Sequence, residues 1–195
     1  MIVFREHTPK RKEITRVVAN HQAHRDDLQN DFHNRCGYCN DIKLGNSEFE
    51  IDHFVPQTPS NFETTINSTA YFNLVFACKS CNRAKSNKWP TNIESIPNKD
   101  NEGFIDPCDN EYDNQYNRTI TGRIIHVTPL GKWMYNALKL YKPQHEIIWK
   151  IDQLELMIID IKQLQISSPD DLEIKNRLIK VYDDFYEYLQ KLSIL

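Results

Sequence analysis

The sequence predicts an α+β protein in which a strand, a loop and a helix close around metal, with one helix before this unit and a helical hairpin after it. Three observations predict this. Two cysteine pairs, Cys36-Gly-Tyr-Cys39 and Cys78-Lys-Ser-Cys81, stand 38 residues apart, and together they complete the four-thiolate shell that zinc prefers. Between them, Glu48-Phe-Glu-Ile-Asp-His53 alternates polar and apolar residues as a half-buried strand does. Beyond residue 143, apolar residues step by three and four along two successive stretches, the period of a helix face.

In chain order, residues 10–34 carry no proline or glycine, and Ile14, Val17 or Val18, Leu28 and Phe32 recur at loosely helical spacing. One amphipathic helix leading into the first cysteine turn is therefore expected. The strand beginning at Glu48 ends before Pro56, which puts His53 near its end. Residues 57–70, rich in Thr, Ser, Asn and Pro, read as a loop. Tyr71-Phe-Asn-Leu-Val-Phe-Ala77 returns the chain to Cys78. A short helix over Asn82–Ser86 is expected to stop at Trp89-Pro90. Residues 91–127 carry no recognisable chemistry and read as an extended segment on the core. A helix from about Thr128 to Leu140 breaks at Lys142-Pro143. The first hairpin seam runs through Ile147, Ile151, Leu154, Ile158 and Ile161; the second through Leu178, Val181, Phe185, Tyr188, Leu192 and Leu195. Ser168-Pro-Asp-Asp171 supplies a proline at the first helical position and acids in the first turn, which start the second helix. The expected division is a cysteine-stapled domain over 1–130 and a helical region over 131–195. The seams either pack on each other or leave surface for a partner or a second copy.

Composition narrows the function. Of 195 residues, 39% are hydrophobic and 11% aromatic, which suffices for a core, while five glycines and a mean hydropathy of -0.64 point to a helical, polar-surfaced chain. No apolar run approaches the roughly 18 to 20 residues that a membrane span requires. The start, Met1-Ile-Val-Phe-Arg-Glu-His7, lacks a signal peptide's apolar core, so a cytoplasmic protein is expected. Thiols stay reduced there, and paired cysteines more often bind metal than form disulfides. Cys108 is left over and is expected to be a buried, inert thiol. The formal net charge of -3 argues against a large nucleic-acid footprint. Residues 79–99, however, carry five Lys or Arg against one acid, a modest patch of the size that touches a few phosphates.

Asp52, His53, Asn73 and Asn82 all lie within or directly beside the cysteine bracket. Phosphodiester hydrolysis needs a base for water and a cation for the phosphoryl oxygens. A neutral imidazole, with an ordinary pKa of about 6.5, suits the first task; Asp52 offers a hard oxygen for the second. A regular strand would put Asp52 and His53 on opposite faces. A bulge at that point would bring them together.

Ile51-Asp-His-Phe-Val-Pro56, Phe72-Asn-Leu74 and Cys78-Lys-Ser-Cys-Asn-Arg-Ala-Lys85 together resemble the HNH endonucleases of the ββα-metal fold, in their zinc-stapled branch. The resemblance covers residues 36–88. It implies that His53 is the general base, that Asp52 and Asn82 hold a catalytic Mg²⁺ or Mn²⁺, and that Asn73 orients the loop and the base. It also implies a structural Zn²⁺ at Cys36, Cys39, Cys78 and Cys81. Lys79, Arg83, Lys85 and Lys88 lie where they would grip phosphates beside the cut in DNA. Phe104-Ile-Asp-Pro-Cys-Asp109, Gly122-Arg-Ile-Ile125 and Thr128-Pro-Leu-Gly131 look like the downstream part of a bacterial subgroup that serves in anti-phage defence or restriction, sometimes beside an ATPase subunit as in Septu-type systems. The alternative is a zinc-stabilised nucleic-acid-binding or interaction module without catalysis, which would not require the four polar site residues jointly. His7, His21, His24, His33, His126 and His145 show no ligand-like spacing and are expected to be surface or core histidines.

Overall fold

The structure, a computed structural model, describes residues 1–45, 48–167 and 171–195. Its elements are β1 (Ile2–Val3), a 3-10 turn (His21–His24), α1 (Arg25–Asp31), β2 (Phe49–His53), a second 3-10 turn (Tyr71–Asn73), β3 (Leu74–Cys78), α2 (Lys79–Lys85), β4 (Asn98–Lys99), β5 (Glu102–Gly103), α3 (Asn110–Asp113), β6 (Tyr116–Arg118), β7 (Ile124–His126), α4 (Pro129–Ala137), α5 (Pro143–Ser167) and α6 (Leu172–Ser193). They fall into two compact units. The first holds Met1–Ile120 and Ile124–Tyr141; the second holds Thr121–Arg123 and Lys142–Leu195. The chain therefore divides near Tyr141 rather than near 130, because α4 packs against β5 and β7 of the first unit.

At the centre of the first unit, β2 and β3 pair antiparallel from Phe49 opposite Cys78 to His53 opposite Leu74. Every residue of β3 is buried. Leu74, Val75, Phe76 and Ala77 are all fully enclosed, and each large apolar side chain so buried contributes roughly 1.5 to 3 kcal/mol. Gly37, inside the first cysteine turn, lies against the other side of this ladder. A Cβ there would stand 2.7 Å from the Phe32 ring and 2.9 Å from Val75, so the turn can approach β3 only with glycine at this position. The α2 helix follows β3 without a loop. Cys78 caps it, its sulfur accepting from the Cys81 amide, and Ser86 ends it in the left-handed region at φ 51°. It begins three residues before the expected Asn82, because the Cys78 sulfur already satisfies an amide of the first turn.

The expected N-terminal helix over 10–34 shrinks to α1 and the 3-10 turn before it. The β-branched run Ile14, Thr15, Val17 and Val18 disfavours helix, and tertiary contacts take the chain's polar groups instead. Arg11 donates to the Leu74 carbonyl at 2.7 Å and to both oxygens of Asp106 at 2.9 and 3.0 Å. Lys12 and Arg16 both pair with Asp27. Arg118, fully buried, donates to the carbonyls of Phe4 and Cys39, and Arg5 donates to those of Gly37 and Pro107. The small sheet β1-β6-β7 is thereby tied to the first cysteine turn.

The second unit is an antiparallel helical pair. Leu154, Ile158 and Ile161 of α5 bury against Val181 of α6, with Ile174, Leu178, Phe185 and Tyr188 partly covered around them. Asp171 is the N-cap, its carboxylate accepting from the amides of Glu173 and Ile174, so the acid at 171 starts α6 as a cap. Ser168, Pro169 and Asp170 lie outside the described residues. Ile151 is buried, whereas Leu195 at the end of the second seam is exposed. Among the described residues, no helix is long and apolar enough to cross a membrane.

Candidate functional site

The four cysteines converge. The sulfurs of Cys36, Cys39, Cys78 and Cys81 all lie within 4.8 Å of one another and all four side chains are buried. The Cys39 and Cys78 sulfurs are 3.7 Å apart. Tetrahedral zinc at about 2.3 Å from each thiolate sets an edge of about 3.8 Å, so the donors present fit such an ion. Burial opposes ionisation of Cys36, yet hydrogen bonds from Cys39, Cys78 and Cys81 outweigh it and bring that thiol well below its ordinary range. Burial pushes Cys39 well up, and the bond to Cys36 does the same for Cys81. A cation bound among the four sulfurs would release the protons that these thiols hold.

Each cysteine pair also delivers a side chain to Asp52. From the first turn, Tyr38 donates its hydroxyl to Asp52 Oδ2 at 2.5 Å. From α2, the Lys85 ammonium sits 3.1 Å from the same oxygen and 3.4 Å from the other, and donates to the His53 carbonyl at 2.8 Å. Tyr38 and Lys85 are fully buried. Burial raises the pKa of Asp52, partly offset by Lys85 and Tyr38, and burial together with Asp52 pushes Tyr38 well up. Lys85 was expected to grip phosphates. It is instead the internal counter-ion of Asp52, because α2 turns that face onto β2. Tyr38 and Glu50 went unremarked in the sequence reading. Glu50, two residues before Asp52 on the same strand face, accepts from the Asn82 amide at 2.6 Å, a placement that strand alternation alone could have signalled.

No bulge interrupts β2: the ladder stays in register through Asp52 and His53, so the two alternate faces. They meet nonetheless at the strand's end, where Asp52, His53, Asn82 and Arg83 border one open cleft of about 380 Å³ together with Pro56, Gln57, Thr58 and Asn87. The hard oxygens of Asp52 and Asn82 are of the kind that Mg²⁺ or Mn²⁺ takes. An ionised carboxylate has about four lone-pair sites, and Tyr38 and Lys85 leave room for one more ligand while fixing the group's orientation.

His53 is held from two directions. Its Nε2 lies 2.8 Å from the Ser68 carbonyl. Directly beyond it, Asn73 Oδ1 accepts from the Val55 amide at 2.8 Å and Asn73 Nδ2 donates to the Val55 carbonyl at 3.0 Å, while Phe54 donates to the Asn73 carbonyl. Asn73, buried, thus clamps the turn that carries His53. The carbonyl at Nε2 favours the tautomer with the proton there, which leaves the Nδ1 lone pair as acceptor. Of the basic residues expected near phosphates, Arg83 is exposed at the cleft. Lys79 pairs with Glu48 at 2.8 Å on the surface, and Lys88, exposed, donates to the Ala84 carbonyl. Cys108 is only partly buried, and burial pushes its thiol up to about 12, so it is inert without being enclosed.

Residues 36–88, the segment holding both cysteine pairs, the clamp and the cleft-lining residues of α2, match the family model of the HNH endonuclease. Over the longer chain, the protein is 26% identical to the Septu protein PtuB of Bacillus mycoides (strain KBAB4), across 80% of this chain and 58% of that protein. The chain thus spans under two thirds of its relative's length. No solved structure matches it. Both parts of the resemblance read from the motifs are borne out: an HNH endonuclease segment, and similarity to a Septu protein.

Proposed function

We propose that this protein is a metal-dependent HNH endonuclease of the ββα-metal type that hydrolyses phosphodiester bonds in DNA, with His53 as its general base. The observation that carries the reading is the double hold on His53: Ser68 at its Nε2 and the Asn73 clamp on the residues that follow. A pure binding module has no need of an imidazole so fixed at a cleft.

In the proposed reaction, His53 Nδ1 takes a proton from the attacking water, worth typically 10² to 10⁴ in rate. A Mg²⁺ or Mn²⁺ held by Asp52 and Asn82 would supply positive charge against the phosphoryl and leaving oxygens. Tyr38 and Lys85 orient Asp52. Glu50 engages the amide nitrogen of Asn82, which reserves the amide oxygen for the ion. A zinc at Cys36, Cys39, Cys78 and Cys81 has a structural role, because it fixes the turn that brings Tyr38 and the helix that brings Lys85 and Asn82. Lys79, Arg83 and Lys88 contact the DNA backbone.

The similarity to a Septu protein supports a place in bacterial anti-phage defence, in the cytoplasm and beside an ATPase partner, with the helical hairpin as the docking element for that partner or for a second copy. The test is cleavage of plasmid DNA with Mg²⁺, Mn²⁺ or EDTA by the wild type and by His53→Ala. Metal-dependent cutting that falls at least about 10²-fold in the variant, with DNA affinity unchanged, is expected. A wild type that binds DNA and never cuts it with either ion would leave only the binding module.

A further inference from the structure

The geometry points to His21 as a positioning residue for His53: we propose that its ring, supplied from fifteen residues before the matched HNH segment, holds the imidazole of the general base in its working plane. This rests on the reading of His53 given above. The two rings lie 4.9 Å apart between centroids and meet edge to face at 76°, an arrangement that aromatic rings favour.

His21 is itself well anchored. It opens the 3-10 turn that Asn20 caps by accepting from the Gln22 amide. Arg25, directly after the turn, donates to the Phe49 carbonyl of β2 at 2.9 Å and to Gln22 at 3.1 Å. His24, buried, stands edge-on to Tyr71 at 5.0 Å. The turn is thereby fixed both to the strand that carries His53 and to the segment that carries Asn73.

The physical need is plain. The terminal torsion of a histidine is broad and roughly two-fold, so one hydrogen bond at Nε2 locates one nitrogen without fixing the plane about it. A ring packed edge to face with the imidazole restricts that freedom, and Nδ1 then stays aimed at the position where water must lie. Burial first, then His53, Arg25 and His24, lower the pKa of His21, which disfavours a positive charge on its ring beside the imidazolium that forms during the reaction.

The test compares wild type with His21→Ala, His21→Gln, His21→Phe and His53→Ala by two readouts. One is kcat and KM for cleavage of duplex DNA with Mn²⁺; the other is the ¹⁵N spectrum of the His53 ring, assigned by its loss in His53→Ala. His21→Ala and His21→Gln should lower kcat about tenfold, within the roughly 10²-fold that a 1 Å misplacement can bring, with KM and zinc content unchanged. They should also draw the two His53 nitrogen signals together, because a ring that turns away from the Ser68 carbonyl loses the bond that keeps the proton on Nε2 and samples both tautomers. His21→Phe, which keeps the ring and loses both nitrogens, should stay near wild type in both readouts. A His21→Phe protein as impaired as His21→Ala, or a folded His21→Ala protein with an unchanged His53 spectrum, overturns the proposal. If the wild type itself does not cut DNA, the nuclease reading fails, while the ¹⁵N comparison still decides whether His21 holds the ring.

Discussion

The two units of this chain differ in how much of what they carry is buried and bonded. In the first, the side chains around the cleft are buried and bonded: Tyr38, Lys85 and Asn73 are all nearly inaccessible, and each satisfies a named partner. In the helical pair, five apolar residues are buried among those described, while ten large ones, from Leu156 to Leu195, are exposed. A site that must hold an imidazole and a carboxylate in place needs surroundings that cannot relax. A helical pair with exposed apolar residues on both members has surface to spare, which suits a surface that meets something else. Buried, bonded side chains sit where the chemistry is proposed, and exposed apolar residues of the helical pair sit apart from it in sequence.

The largest expected effect breaks the first unit alone. Cys81→Ser removes one of four converging ligands, and a structural metal contributes directly to folding free energy. Zinc content should fall to near zero and the first unit should lose its cooperative melting transition, while helical circular dichroism from α5 and α6 persists. A metal-free variant that melts like wild type would remove the staple from this account.

Lys85→Met should come next. It leaves the Asp52 carboxylate buried without its cation, and breaking such a pair typically costs about 3 to 5 kcal/mol. Denaturant unfolding would measure the loss, and cleavage should fall with it. A stability change of about 1 kcal/mol or less would mean that Lys85 is more easily replaced by solvent than its burial implies.

A smaller effect is expected at the rim of the same unit. Bonding to Lys12, with help from Arg16, holds the Asp27 carboxyl below its ordinary range. Since the folded pKa is the lower one, its stabilisation is complete above the unfolded value of about 3.9 and is lost as pH falls through the lower folded value. Exposed pairs of this kind are worth roughly 0.2 to 1 kcal/mol. Asp27→Asn should therefore lower the amide protection factors of residues 10–20, taken relative to the intrinsic exchange rate at each pH, at neutral pH and abolish the further loss of protection that acid brings to the wild type. Identical exchange in the two proteins would show that Arg11 alone holds the segment.

The smallest effect on stability, and the sharpest on the comparison, is expected in the helical pair. Ile179→Lys with Tyr186→Lys alters exposed positions, so unfolding free energy should move by no more than about 0.5 kcal/mol. Sizing and partner capture should nevertheless change if this surface docks. Unchanged mass and unchanged binding would reduce the hairpin to a packing element.

What the sequence determined by itself is what local spacing can carry. The cysteine pairs, the alternation through Asp52 and His53, the apolar return strand and the three-four seams of the last two helices each express one element's own period, and each stands as read save for Leu195, which is exposed. Asn73 was legible only through the resemblance carried by Phe72-Asn-Leu74, which implies that it orients the loop and the base. The tertiary structure alone decided the partners themselves. Whether Lys85 faces solvent or Asp52 depends on which side of α2 meets β2, and no period of a seven-residue helix fixes that. Tyr38 and Glu50 become site residues only when the first cysteine turn and α2 arrive on the same strand face. The stretch before residue 21 follows the same logic: its apolar spacing is compatible with a helix, but Arg11, Lys12 and Arg16 find carbonyls and carboxylates far along the chain, and those bonds hold it extended. His21 reaches His53 for the same reason, since a contact between distant segments is set by where the chain returns and not by the preferences of the residues that make it.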